Sequence, residues 1–109
     1  MNRGRMGVTQ RRKKMELKWI TDAGHGWLKV RTRDVAAKYP EILSKVSGYS
    51  YMNNVGSVLY LEEDQDCALL LEAMIADGSE TRETLREIPE FYEGAVSSIR
   101  RLKHYTNLF

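Results

Sequence analysis

The sequence predicts an α+β domain: an antiparallel sheet of four to five strands with two helices on one face, in the order ββαββα followed by a strand or a helix. Three observations predict it. Residues 17–30 and 46–61 each carry apolar residues in alternation about a turn rich in glycine or asparagine, the pattern of a half-buried hairpin. Each hairpin is followed by a stretch with apolar residues at 3–4 spacing, the period of an amphipathic helix. The hairpin-then-helix unit also recurs at an offset of 30 residues, so that Gly26 matches Gly56, Leu28 matches Val58 and Asp34 matches Asp64. Two such units side by side give a four-stranded sheet with its helices on one side.

The elements follow in chain order. Residues 1–14 carry Arg3, Arg5, Arg11, Arg12, Lys13 and Lys14 with no acid and almost nothing to bury, so they are expected to be a disordered basic arm or an extension. A single α+β domain then spans residues 15–109. Leu17 to Val30 reads as a hairpin turning at Gly24-His25, with Trp19 opposite Val30 and Thr21 opposite Leu28. Leu17, Trp19, Leu28 and Val30 then share one face, and Trp27 falls on the other face beside Ile20. Glycines on both sides of His25 suit the positive φ of a primed turn.

Thr32 to about Leu43 reads as a helix with Thr32 as N-cap, Asp34 in its first turn and a kink or stop at Pro40. Val46–Tyr51 and Ser57–Leu61 read as a second hairpin turning at Asn53-Asn54-Val55-Gly56. Asp64 is expected to cap a second helix over about 65–77, with Cys67, Leu70, Leu71 and Met74 on its apolar face and Gly78 closing it. Residues 84–105 are ambiguous. Their apolar spacing favours a helix, whereas Pro89 and Gly94 favour a strand over roughly 84–92, a turn and an irregular tail.

Composition narrows the function classes. The 109 residues, 42% hydrophobic and 29% charged, suit one globular domain. The longest apolar run, Ala68–Leu71, is far shorter than the roughly 18 residues of a membrane span. No apolar run follows the basic N-terminus, as a secretory signal would require. Cys67 is the sole cysteine, which leaves no internal disulfide and suggests a reducing cytoplasm. Net charge is +2, yet residues 15–109 hold 11 basic against 15 acidic residues, a net of −4. The basic balance belongs to the arm.

Three stretches resemble a family of small, uncharacterised proteins carried by bacteriophages, prophages and plasmids. They are Thr21–Val30 (TDAGHGWLKV), Ser47–Tyr51 (SGYSY) and Leu59–Asp66 (LYLEEDQD). That family opens with D-x-GHGWL-x-V, continues to a YSY strand and reads V/L-Y-L-E-E-D-x-D into a helix. A serine-rich turn with Ile-Arg and a late aromatic closes it, as Ser97, Ser98, Ile99, Arg100 and Tyr105 do here. The resemblance covers residues 15–75 well and 90–105 loosely. It implies that Met15 stands where the family begins, that the C-terminal piece is strand plus tail, and that the setting is a mobile element in a bacterium. It carries no activity with it. The basic arm and a longer 78–96 linker are departures from the family pattern.

Candidate chemistry is sparse. His25, with Asp22 three residues before it, is a candidate general base or metal ligand; the simpler reading is an exposed hairpin tip. Cys67 sits on an apolar helix face, where burial blunts a thiol. Glu62, Glu63, Asp64 and Asp66 are candidate oxygen ligands for a cation, although acids at a strand-to-helix junction more often cap the helix. Trp27, on the face away from Trp19, is a candidate exposed interface anchor, with His25, Tyr49, Tyr51, Arg100 and Arg101 as further partner-contact candidates. No phosphate-loop, nucleophile-elbow, zinc-protease or dinucleotide fingerprint is present.

The expected function is therefore that of a non-enzymatic, cytoplasmic protein of a mobile genetic element. It would need no cofactor and would bind a larger bacterial host protein, with a host-defence complex as the attractive target class, in the manner of anti-CRISPR proteins. A homodimer is compatible with this. One alternative is a nucleic-acid-binding regulator using Arg11, Arg12, Lys13 and Lys14. Another is a small metal-dependent hydrolase using Asp22, His25 and the acidic cluster.

Overall fold

The computed structural model describes residues 15–107; the expectations for the basic arm lie outside them. The order is β1 (Lys18–Thr21), β2 (Gly26–Arg31), α1 (Thr32–Lys38), α2 (Pro40–Leu43), β3 (Tyr51–Met52), β4 (Val58–Glu62), α3 (Asp66–Ala76), α4 (Arg82–Leu85), β5 (Glu90–Tyr92), a 3-10 turn at Ser98–Arg101 and β6 (Lys103–His104). One sheet runs β5-β1-β2-β4-β3-β6. The fold is α+β as expected, but the sheet has six strands and is mixed. The four central strands are antiparallel, β6 extends them antiparallel beyond β3, and β5 lies parallel to β1.

The first hairpin keeps the expected faces with a different register. Trp19 pairs with Leu28 and Thr21 with Gly26, two residues from the expected alignment. A shift of two preserves side-chain parity, so Leu17, Trp19, Leu28 and Val30 still share the core face. The turn is longer than expected because it is built on a side chain. Asp22 Oδ1 accepts hydrogen bonds from the backbone N–H of Gly24 and His25, at 2.9 and 2.8 Å. Neither glycine has a positive φ. They are small for another reason: a Cβ at Gly24 would stand 3.2 Å from Arg100 Nη2, and one at Gly26 would stand 3.1 Å from Glu63 Oε2.

The first helix breaks at Tyr39, and Pro40 opens α2 at a position where its missing N–H costs nothing. Arg31, not Thr32, is the N-cap. Thr32 instead donates its hydroxyl to Gly56 O at 2.6 Å, which ties α1 to the turn of the second hairpin. That turn forms at Asn53–Gly56 as expected, with Gly56 at φ 76°. Residues 46–50 form a turn, not strand, and β3 is only Tyr51–Met52.

α3 begins at Asp66 with Gln65 as N-cap. Glu62, not Asp64, supplies the capping carboxylate: it accepts from the N–H groups of Asp64, Gln65 and Asp66 at 2.8 to 3.1 Å. Gly78 closes the helix at φ 81°. Pro89 and Gly94 win over the helical spacing beyond it: residues 84–105 hold the end of α4, β5, the 3-10 turn and β6.

The core lies between the sheet and the helices. Leu28, Val30, Met52, Leu59 and Leu61 pack there with Val35, Ile42, Leu43, Cys67, Leu70 and Met74, and Tyr105 closes one end. A second, smaller cluster of Ile20, Trp27 and Ile99 lies on the outer face, with Tyr51, Tyr60 and Leu102 packed around it. The C-terminal segment forms the lid of that cluster. No helix among the described residues is long and apolar enough to cross a membrane.

Candidate functional site

The densest polar arrangement ties the first hairpin to the C-terminal turn. Asp22 leaves β1 with its side chain fully buried. Oδ1 accepts from Gly24 N, His25 N and Arg100 Nη2, the last at 3.0 Å. Oδ2 accepts from Arg100 Nε at 2.6 Å and from Ser97 N at 2.8 Å. The bidentate Arg100 guanidinium holds the carboxyl well below the usual carboxylate range; burial opposes this and the three backbone N–H bonds assist it. Asp22 in turn raises Arg100 further.

Ser97 is the second fastening. It is fully buried, its hydroxyl donates to Glu93 Oε1 and accepts from Ile99 N, and Gly94 O accepts from Ala23 N at 3.0 Å. Residues 94–100 are thereby held against the hairpin tip from both sides.

Arg100 also organises the aromatic residues. Its guanidinium carbon lies 5.6 Å from the Trp27 ring centroid, and Nη2 lies 2.8 Å from His25 Nδ1. A guanidinium only donates, so His25 Nδ1 is the acceptor in this contact. The His25 ring stacks on Trp27 at 5.9 Å, Trp27 meets Tyr51 edge-on at 6.1 Å, and Tyr51 stacks on His104 at 4.7 Å. The rings form a continuous strip across the outer face.

This geometry reassigns the sequence candidates. Trp27 does lie beside Ile20 on the face away from Trp19, but it is 2% exposed, because Ile99 and Arg100 cover it. The exposure on which its expected contact role rested is absent. Asp22 does not orient the His25 ring; it accepts from the His25 backbone, and five donors fill its oxygens. Tyr51 and Arg100 are partly buried in the strip, whereas His25, Tyr49 and Arg101 are exposed as a contact role requires.

The acidic cluster is likewise engaged. Glu62 caps α3. Asp66, 1% exposed, accepts from Ser47 N, Ser47 Oγ and Ser50 Oγ, the last at 2.6 Å, and so fastens the turn before β3 to the start of α3. Glu63 and Asp64 are exposed, with the Glu63 carboxylate lying against Gly26. Among the described residues no three of His, Cys, Asp or Glu converge as a metal site would. Burial, and then the nearby Glu62 and Glu63, push the Cys67 thiol up to about 12, far from a nucleophile. Arg11, Arg12, Lys13 and Lys14 lie outside the described residues.

Two features escaped the sequence reading. Phe91, Tyr92 and Val96 are 48%, 66% and 65% exposed beside the open edge of β5. The other is a cleft of about 990 Å³ between α1 and the end of α3, where Tyr39, Asp77, Ser79 and Lys38 are hydrogen-bonded to one another. Hydrogen bonds from Ser79 and Tyr39 hold Asp77 down at about 2. Comparison with protein-family models, curated proteins and solved structures finds no match.

Proposed function

We propose that this chain is a non-enzymatic binding protein that docks on a larger protein through the ridge of β5 and the turn after it. The observation that carries the reading is the exposure of Phe91, Tyr92 and Val96 within six residues of chain. Single exposed apolar residues are ordinary, but several gathered at one open sheet edge mark a contact surface; Phe91 lies on the outer face with Ile20, and Tyr92 on the other side of the same edge. The backbone supports the same reading. Pro89 O and Glu93 N bond to β1, so by strand alternation Glu90 and Tyr92 turn their N–H and C=O groups to the open side. Natural proteins usually shield such an edge, and a partner strand satisfies it. Exposed Glu87 and Glu90 lie near the aromatics in the chain and the Lys18 ammonium stands over Phe91, so the ridge presents charge of both signs to a partner.

The resemblance to phage, prophage and plasmid proteins supports a bacterial host protein as the partner, with a host-defence complex as the target class. The filled acceptor positions of Asp22 and the engagement of Glu62 and Asp66 in local hydrogen bonds weigh against the hydrolase alternative. The test is affinity capture from bacterial lysate with the tagged full chain. A stoichiometric partner is expected with the unaltered chain and with His25→Ala, and is lost with Phe91→Ser/Tyr92→Ser. No stoichiometric partner, or one that survives the double substitution, overturns the reading.

A further inference from the structure

A second surface on the outer face adjoins the β5 ridge at Phe91 and is chemically unlike it. The register places Lys18 directly opposite Lys29, Lys29 opposite Tyr60, Tyr60 opposite Tyr51 and Tyr51 opposite His104. Paired residues share a face, so one row of two lysines, two tyrosines and a histidine crosses the sheet on the side away from the helices. Two lysines directly opposite each other repel and weaken a strand pair. Neither has a carboxylate partner among the described residues.

The acids of that face have partners other than the two lysines. Glu16 pairs with Arg31 at 3.0 Å, Glu62 caps α3, and Glu93 accepts from Ser97. Lys18 and Lys29 are therefore left without an ion-pair partner among the described residues. They line a groove of about 260 Å³ with Arg31, Val58, Val30 and Glu16. Aromatic rings adjoin it: the Lys18 ammonium lies 5.6 Å from the ring centroid of half-exposed Phe91, and half-buried Tyr60 follows Lys29 in the row.

We infer that this groove binds the phosphodiester backbone of a single-stranded nucleic acid. Lys18 and Lys29 contact successive phosphates, and Tyr60 and Phe91 offer ring surface to the bases. Cations along a groove beside aromatic rings on an open sheet face are the combination that holds a single strand without reading its sequence. The repulsion between the two lysines is relieved when phosphates lie between them.

The test is fluorescence anisotropy with the full chain at low salt, using a labelled oligo(dT) of about 15 nucleotides, the matching oligo(U) and a duplex of equal length. Lys18→Gln/Lys29→Gln is expected to weaken binding of the single strands about tenfold and to lower the salt slope by about 1.4, the share of two phosphate contacts. The same variant is expected to unfold at an equal or higher temperature, because a repulsive pair is removed; weaker binding then cannot be ascribed to unfolding. A companion variant replaces Arg11, Arg12, Lys13 and Lys14 by Gln and is expected to keep the preference for single strands. The inference is overturned if the unaltered chain binds neither single strand, if the double-lysine variant binds them equally well, or if the duplex is bound as tightly as the single strands.

Discussion

The two faces of the sheet are held by different physics. Against the helices, Leu28, Val30, Leu59 and Leu61 meet a broad apolar layer, and many individually small dispersion contacts are shared among many residues. On the outer face the buried apolar cluster among the described residues is small, Ile20, Trp27 and Ile99, and the segment covering it is fastened by Asp22, Arg100 and Ser97. The first face tolerates imprecision because its stability is distributed. The second depends on one carboxylate and the donors around it, so a single substitution should open it while the rest stands.

The largest effect expected on either face is from truncating Trp27. Trp27→Ala should cost about 3 to 5 kcal/mol in chemical denaturation, and Leu28→Ala roughly 2 to 5. The comparison is sharpened by where the damage falls. The Leu28 variant should lower the protection of every slowly exchanging amide together. The Trp27 variant should first release residues 97–105, because their apolar footing is lost. Equal, global loss in both would break the distinction between the faces.

The distributed face was legible in the sequence, and the fastened face was not. Alternation over Leu17–Val30 located the core face even though the register was two residues off, since parity survives such a shift. Gly56, Gly78 and Pro40 were read correctly because each acts through its own backbone. Gly24 and Gly26 were misread: a local rule assigns them positive φ, whereas they are small to admit Arg100 and Glu63, which come from distant parts of the chain. The bond from Arg100 to Asp22 spans 78 residues, and no periodicity encodes it. For the same reason Trp27 was placed on its correct face yet expected to be exposed. Nothing local announces that residues 97–102 return to cover it.

Acid titration gives a smaller effect on the helix side. Asp77 is held at about 2, below its ordinary 3.8. Its depressed value means that its contribution is complete above about pH 4 and is lost as pH falls toward 2. In urea unfolding, Asp77→Asn should be the less stable protein at pH 6, and its deficit should shrink between pH 4 and pH 2. A deficit that stays constant with pH would mean that the carboxylate charge is not what Tyr39 and Ser79 hold. Smallest in free energy is the behaviour of Cys67. With its thiol pushed up to about 12, it should resist alkylation at pH 8 in the folded chain and react fully in denaturant. Rapid modification of the folded chain would show that the layer between α3 and the sheet is open.

The central claim is that the Asp22–Arg100 cluster is a structural clasp for the C-terminal segment and not a reaction centre. Residue-resolved hydrogen exchange of Arg100→Ala tests it most directly. The clasp predicts that amides of residues 97–105 lose protection while those of α3 and β4 keep theirs. Unchanged protection across 97–105, or the same loss throughout the sheet and α3, would contradict it.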